Sequence, residues 1–183
     1  RFDQAAQAIY EFVWNEYCDW YLELSKPVLN GDSSPAAKAG TRRTLLRVLE
    51  SMLRLMHPIM PYISEEIWQR VKVLVGKTGE SIMLEAYPVA DNSKINLEAE
   101  ADVEWLKSVI AGIRNIRGEM NISPSKQLPV LFHNSSATDQ QRLQRYSSQL
   151  RFLARLESVD VLAMDADLPP AATALVGNMA VLV

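Results

Sequence analysis

The segment from His57 to Trp68, with the sequence HPIMPYISEEIW, decides how the first half of this chain folds. Pro58 and Pro61 interrupt any continuous helix here, because proline lacks an amide donor and its ring clashes with the preceding turn. Pro61 is nevertheless well suited to the first turn of a new helix. The segment therefore predicts a helix that ends near Met56, a bend, and a shorter third helix that starts near Pro61.

Apolar residues at helical spacing extend outward from this bend in both directions. We expect the first helix over residues 2–26, the second over about 36–56 and the fourth over about 98–120. Residues 81–84 have the pattern of a short extended run, within an otherwise irregular stretch. Four amphipathic helices joined by short or medium loops predict an antiparallel helical bundle, so the fold class is mainly α.

The pattern changes after residue 122 from helical to mixed. The expected elements are strands at residues 128–132, 159–162 and 173–183 and a helix at about 137–155. Short apolar runs rich in β-branched residues are typical of strands. We therefore expect a helical-bundle domain over residues 1–122, followed by a small α/β subdomain over residues 123–183.

The composition is that of a folded, soluble protein. Of the 183 residues, 48% are hydrophobic and 22% are charged, and the net charge of −3 provides no overall attraction for nucleic acid. The single cysteine, Cys18, excludes an internal disulfide, and no cysteine or histidine cluster indicates a metal. The single cysteine fits a reduced, cytoplasmic setting, and no apolar run is long enough to span a membrane. We expect a monomer without a membrane partner.

The inventory of residues for catalysis is small. His57 and His133 are far apart in the sequence and fall on different expected elements. Glu65 and Glu66 are adjacent carboxylates, but they lie in the first turn of the third helix, where the helix dipole stabilises anions. No phosphate-binding loop or metal-protease motif is present. The sequence predicts no catalytic residue, no metal site and no cofactor in this chain.

Two basic helix faces and one aromatic residue are the candidates for binding RNA. Arginine and asparagine can contact phosphates and base edges, and an exposed ring such as that of Phe12, which lies outside the apolar stripe, can stack on an unpaired base. The candidate RNA-binding residues are Phe12, Asn15, Arg43, Arg47, Arg114, Arg117 and Asn121. Spacing alone leaves open that these are solvated helix faces with weak ion pairs.

Three stretches resemble the anticodon-binding domain of class I aminoacyl-tRNA synthetases. Residues 2–23 are similar to the helix that opens this domain in valyl-tRNA synthetases, and residues 113–124 resemble a run typical of the same enzymes. Residues 57–68 fit the pattern HPxxPxxxEExW, which valyl, isoleucyl and leucyl enzymes share. The resemblance extends in order to about residue 126. The tail is only weakly similar, as a small subdomain that precedes a carboxyl-terminal coiled coil absent here.

The resemblance implies a helical domain that holds the anticodon end of a valine-specific tRNA. The catalytic domain of the parent ligase would supply ATP and magnesium, because the HIGH and KMSKS signatures that bind ATP are absent from this chain. By itself the chain is therefore not expected to be an enzyme. The alternatives are the anticodon-binding domain of an isoleucyl-tRNA synthetase and a helical protein-interaction module that does not bind RNA. The four tryptophans are expected to be packing residues.

Overall fold

The computed structural model describes all residues from Arg1 to Val183 and contains two compact units, Arg1–Lys94 and Ile95–Val183. The first unit is helical, and the second combines helices with a small sheet, which confirms the expected mainly α fold followed by an α/β part. The change from helix to strand falls after residue 122, as expected. The compact units divide earlier, because the fourth expected helix packs against the sheet of the second unit.

Helices make up most of the first unit. They are α1 (Phe2–Glu11), a π-helical segment (Phe12–Leu22), α2 (Glu23–Asn30), α3 (Pro35–Met56) and α4 (Pro61–Val71). Short 3-10 helices follow at Lys72–Val75, Ile82–Leu84 and Asn92–Lys94. The predictions for α3 and α4 are confirmed. No helix of the chain is both long and apolar enough to cross a membrane.

The first helix is longer than expected and changes its winding. Hydrogen bonds in the π-helical segment join residues five apart, so the side chains that share a face differ from those of an α-helix. The helix passes Pro27 and ends at Gly31, whose amide donates to the Pro27 carbonyl at 3.0 Å. A Cβ at Gly31 would lie 2.4 Å from that same oxygen, so only glycine fits this close turn.

The bend between α3 and α4 is closed by side chains of the HPxxPxxxEExW motif. The Ser64 hydroxyl is buried and donates to the Met60 carbonyl at 2.8 Å. Since its single proton is used there, Ser64 accepts from Nδ1–H of His57, which lies 2.8 Å from its Oγ. His57 thereby joins the end of α3 to the first turn of α4 and has a structural role.

Residues 81–84 were expected to be extended, but Ile82–Leu84 form a 3-10 turn. The Glu65 carboxylate accepts from the Ser81 hydroxyl at 2.9 Å and from the Ile82 amide at 3.0 Å. Burial raises the pKa of Glu65, but hydrogen bonds from Gln69, Ser81 and the Ile82 amide outweigh this effect and leave the pKa lowered. The interpretation of Glu65 through the helix dipole is wrong, because α4 begins at Pro61 and has no acidic residue in its first turn. The Glu65 carboxylate instead holds the 3-10 turn in place.

The core of the first unit surrounds Trp68. Its ring is fully buried and packs against Leu53 of α3 and Ile82 of the 3-10 turn. The indole N–H donates to Oε1 of Glu50 at 3.2 Å, and Nε and Nη2 of Arg54 each donate to the same carboxylate at 2.8 Å. A buried carboxylate is tolerated here because each of its oxygens has a donor.

The second unit consists of one long helix, two short helices and a four-stranded sheet. Its elements are α5 (Leu97–Glu119), β1 (Leu128–His133), α6 (Ala137–Arg145), α7 (Ser147–Ala154), β2 (Leu156–Val161), β3 (Thr173–Val176) and β4 (Met179–Leu182). The strand order is β2-β1-β4-β3, with β1 and β2 parallel and the other pairs antiparallel. The single helix expected at about 137–155 is broken at Tyr146, and the last expected strand is a hairpin that turns at Gly177, where φ is +60°.

The long helix α5 covers the sheet with its apolar stripe. Val109, Ile110 and Ile113 are fully buried, and the helix packs against β3 and β4. Gly112 permits the close approach, since a Cβ there would lie 3.2 Å from the Cβ of Ala174. The helix begins at Asn96, whose side-chain oxygen accepts the Ala99 amide at 3.0 Å, as is typical of an N-cap.

Candidate nucleic-acid interface

A groove along α3 in the first unit has cations at six of its fifteen lining positions and is termed the basic groove. It encloses about 900 Å³. Its cations are Arg42, Arg43, Arg47, Arg54, Lys77 and Lys94. Glu50 is the one carboxylate among the lining residues. The groove therefore concentrates positive charge on a chain whose net charge is negative.

Three of these cations already have carboxylate partners. Arg54 is paired with Glu50 at 2.8 Å, and the corresponding partners of Lys77 and Lys94 are Glu85 and Asp91. The other three, Arg42, Arg43 and Arg47, are exposed and form none of these pairs. Their guanidinium groups are therefore available to bind a ligand anion. Arg43 and Arg47 are four residues apart and so share one face of α3.

An aromatic ring completes the basic groove. Tyr87 is 57% exposed, and its hydroxyl donates to the Leu55 carbonyl at 3.3 Å. Arg54 Nη1 donates to the carbonyl of Ala86 at 2.6 Å, which ties this part of the chain to α3. Cations beside an exposed ring are the combination that binds single-stranded nucleic acid, through phosphates and base stacking respectively.

Three further exposed rings lie on the first helix. They belong to Tyr10, Phe12 and Trp14, which are 61%, 47% and 56% exposed. The rings of Tyr10 and Trp14 are parallel to within 4°, with centroids 6.4 Å apart. The expectation that Trp14 is a packing residue is wrong. In the π-helical winding it is Tyr17 that is buried, with its hydroxyl 3.1 Å from the Leu45 carbonyl.

Arg117 was expected to bind RNA, and its position requires a correction. It is only 7% exposed, and its guanidinium donates to backbone carbonyls at the start and in the middle of the small subdomain. The acceptors are Ser123 (3.2 Å), Lys126 (2.8 Å), Ala154 (3.0 Å) and Arg155 (2.9 Å). The expectation of a basic face away from the apolar stripe is wrong for Arg117, because this residue follows the buried Ile113 by four residues and therefore lies on the buried face of α5. Arg117 is therefore a structural residue whose terminal nitrogens are occupied by backbone carbonyls.

The other expected RNA-binding residues are on the surface. Phe12 and Asn15 lie on the π-helical segment, and Arg43 and Arg47 line the basic groove together. Arg114 is exposed on α5. Asn121 is also exposed, with a φ of +51° at the end of that helix, a conformation that asparagine tolerates better than most residues. RNA contact by all six of these residues stays a prediction.

Sequence reasoning missed the cations and the ring that reach the basic groove from outside α3. Lys77, Tyr87 and Lys94 belong to the irregular stretch, whose path back along α3 depends on contacts far apart in sequence. The one signal for this part of the groove in the sequence is the aromatic residue Tyr87, directly before Pro88. No group of three or more histidine, cysteine, aspartate or glutamate side chains is arranged to hold a metal ion.

Comparison with known proteins places the chain in a family. Residues 1–132 match the family described as the anticodon-binding domain of tRNA ligase. A valine–tRNA ligase from Acinetobacter baylyi is 47% identical over 184 aligned residues, which cover the whole of this chain and 19% of that protein. The chain thus spans about a fifth of the length of this relative. It belongs to the anticodon-binding domain family of tRNA ligases.

Proposed function

We propose that this chain binds the anticodon end of a valine-specific tRNA and positions that tRNA for aminoacylation by the catalytic domain of a valine–tRNA ligase. The observation that carries the proposal is the basic groove, where Arg42, Arg43 and Arg47 are unpaired beside the exposed ring of Tyr87. The 47% identity to a valine–tRNA ligase supports the amino-acid class. ATP and magnesium would act in the catalytic domain and not in this chain.

The basic groove and the exposed rings of the first unit suit different parts of an RNA loop. Arginine forks match phosphate oxygens, so the basic groove is suited to the backbone. The rings of Tyr10, Phe12 and Trp14 are suited to unpaired bases, and each stacked base contributes about 1–3 kcal/mol. Recognition of unpaired bases depends on stacking and on local donors. The net charge of −3 therefore does not oppose this function.

Replacing Arg43 and Arg47 together by alanine should weaken tRNA binding by about ten- to one-hundredfold. It should also reduce the magnitude of the slope of log K against the logarithm of the salt concentration by about two. The reason is that each unpaired guanidinium neutralises one phosphate and releases one counterion. Both side chains are exposed, so the free energy of unfolding should change by less than about 1 kcal/mol. Fluorescence anisotropy of labelled tRNA over a salt series measures both quantities.

The matched control is the double replacement of Lys26 and Arg70 by alanine. These two cations are also exposed in the first unit, but each has a carboxylate partner on its own helix and neither lines the basic groove. The net charge changes by the same amount in both double variants. An equal loss of tRNA affinity in the two variants would contradict the proposal, because binding would then follow net charge and not the groove.

A further inference from the structure

A second concave site lies within the unit Ile95–Val183, at the end of α7, and is termed the arginine cavity. It encloses about 460 Å³. Its lining residues are Arg114, Arg117, Pro124, Ser125, Leu153, Ala154 and Arg155. Three of the seven are arginines, and none is a carboxylate. All of them belong to the second unit, so this site is separate from the basic groove.

Arg117 carries a buried charge that has no anionic partner. Its two terminal nitrogens donate only to backbone carbonyls, and its Nε has no hydrogen-bond partner. A buried ion without a counterion is costly, and burial lowers the pKa of Arg117 accordingly. The wall of the arginine cavity therefore has positive charge that carbonyl dipoles compensate only in part.

Arg155 occupies a backbone conformation in which arginine is unusual. It follows the last residue of α7 with φ +53° and ψ +58°, a left-handed position at which glycine is preferred. Its carbonyl is fixed there by Arg117 Nη2 at 2.9 Å and by the Leu128 amide at 3.2 Å. Its side chain is exposed and lines the cavity. A non-glycine residue held in a strained conformation points to a use for its side chain.

We propose that the arginine cavity binds a phosphate group. Planar guanidinium groups bind phosphate oxygens in pairs, and Arg155 can offer such a fork from the rim while the charge of Arg117 acts from the wall. The hydroxyl of Ser125, which lies 2.9 Å from that of Ser123, also lines the cavity. The phosphate would come either from an RNA backbone or from a small free anion.

The test uses Arg155→Gly in the complete 183-residue chain, with inorganic phosphate as the probe. Glycine suits φ +53°, so the melting temperature should stay the same or rise while the rim guanidinium is lost. The shift of the Ser125 amide signal in NMR spectra reports phosphate binding. We expect this variant to weaken phosphate binding by about tenfold, the loss typical of one charge-assisted contact.

Arg151→Ala is the matched control, because Arg151 is exposed on the same helix and does not line the cavity. It should leave phosphate binding unchanged, as should the double alanine variant of Arg43 and Arg47 in the basic groove. The proposal is overturned if phosphate leaves the Ser125 signal unmoved in the parent chain. It is also overturned if Arg151→Ala weakens binding as much as Arg155→Gly.

A parallel titration with an anticodon stem-loop RNA distinguishes the two sources of phosphate. If the ligand is an RNA backbone, Arg155→Gly should also lower RNA affinity several-fold. It should then reduce the magnitude of the slope of log K against the logarithm of the salt concentration by about one. If RNA affinity is unchanged while phosphate binding is lost, the site serves a small anion. Because the groove variants and the cavity variant are separate, failure of one proposal is distinguishable from failure of the other.

Discussion

Replacing Asp102 by alanine is expected to lower the free energy of unfolding of the second unit by about 3–5 kcal/mol near pH 7, the cost of breaking a buried ion pair. The carboxylate lies near the start of α5, and its side chain is 6% exposed. It accepts from Nε of Arg142 at 2.7 Å, from Nη1 of Arg145 at 3.1 Å and from the hydroxyl of Tyr146 at 2.9 Å. Without Asp102, the donors of Arg142 and Arg145 in α6 and of Tyr146 at the end of that helix lose their acceptor. Urea denaturation followed by circular dichroism measures the change.

The same network predicts a dependence of stability on pH. The hydrogen bond from Arg142 is the main cause of a lowered pKa at Asp102, and it acts against the effect of burial. A carboxyl whose pKa is lower in the folded state stabilises the fold above its unfolded pKa of about 4, and this contribution disappears as the pH falls through the folded pKa. The stability difference between the parent chain and Asp102→Asn should therefore be largest at neutral pH and decrease on acidification below about pH 4.

Glu104→Ala is the control on the same helix. Glu104 is 68% exposed and forms a surface pair with Lys107 at 2.8 Å, so its loss should cost less than about 1 kcal/mol. If Asp102→Ala cost no more than this control, the network would be a surface feature, and its role in joining α5 to α6 would be refuted.

The second large effect is expected at Trp68. Its replacement by alanine should lower the free energy of unfolding of the first unit by about 3–5 kcal/mol, as the removal of a buried aromatic side chain usually does. The ring is fully buried against Leu53 and Ile82, and its N–H binds the buried carboxylate of Glu50. Trp68→Phe retains most of the apolar volume and should cost about 1–3 kcal/mol, because it mainly leaves Glu50 with one donor fewer.

Trp14→Ala provides the contrast, because Trp14 also lies in a stretch that resembles the family but is 56% exposed. It should change the free energy of unfolding by less than about 1 kcal/mol. Chemical denaturation of the three variants under the same conditions is the measurement. Equal destabilisation by Trp14→Ala and Trp68→Ala would show that the core of the first unit is not where the structure places it.

Local signals account for the parts of the fold that were predicted correctly. Pro58 and Pro61 set the end of α3 and the start of α4, since proline acts on its own turn of the chain. Ser34 begins α3 by accepting the Ala37 amide at 3.2 Å, a cap that is visible in the sequence. The apolar stripe of α5 was predicted for the same reason, because helical spacing is a short-range property.

The errors share a different cause, which is contact between residues far apart in sequence. Arg117 was predicted to face solvent, but it donates to the carbonyls of Ala154 and Arg155, which are 37 and 38 residues further along the chain. Residues 81–84 were predicted to be extended, but Glu65 of α4 holds them in a turn. Trp14 was predicted to pack because large aromatic side chains in helices usually do, but it is 56% exposed.

The candidate site was predicted in part. Arg43 and Arg47 were recognised because helical spacing places them on one face of α3, and they do line one groove. Tyr87 and Lys77 were not recognised, because only the folded path of the irregular stretch brings them to that groove. RNA contact by the six candidate residues other than Arg117 stays a prediction, because it depends on a ligand.

The central claim is tested most directly by titrating this chain with valine tRNA at low salt, alongside the same tRNA with a substituted anticodon. We expect tighter binding to the native anticodon, with affinity that decreases as salt is added. The difference between the two tRNAs should arise from base stacking on exposed rings such as Phe12. Equal affinity for the two tRNAs would contradict the account, since the chain would then bind RNA without reading the anticodon.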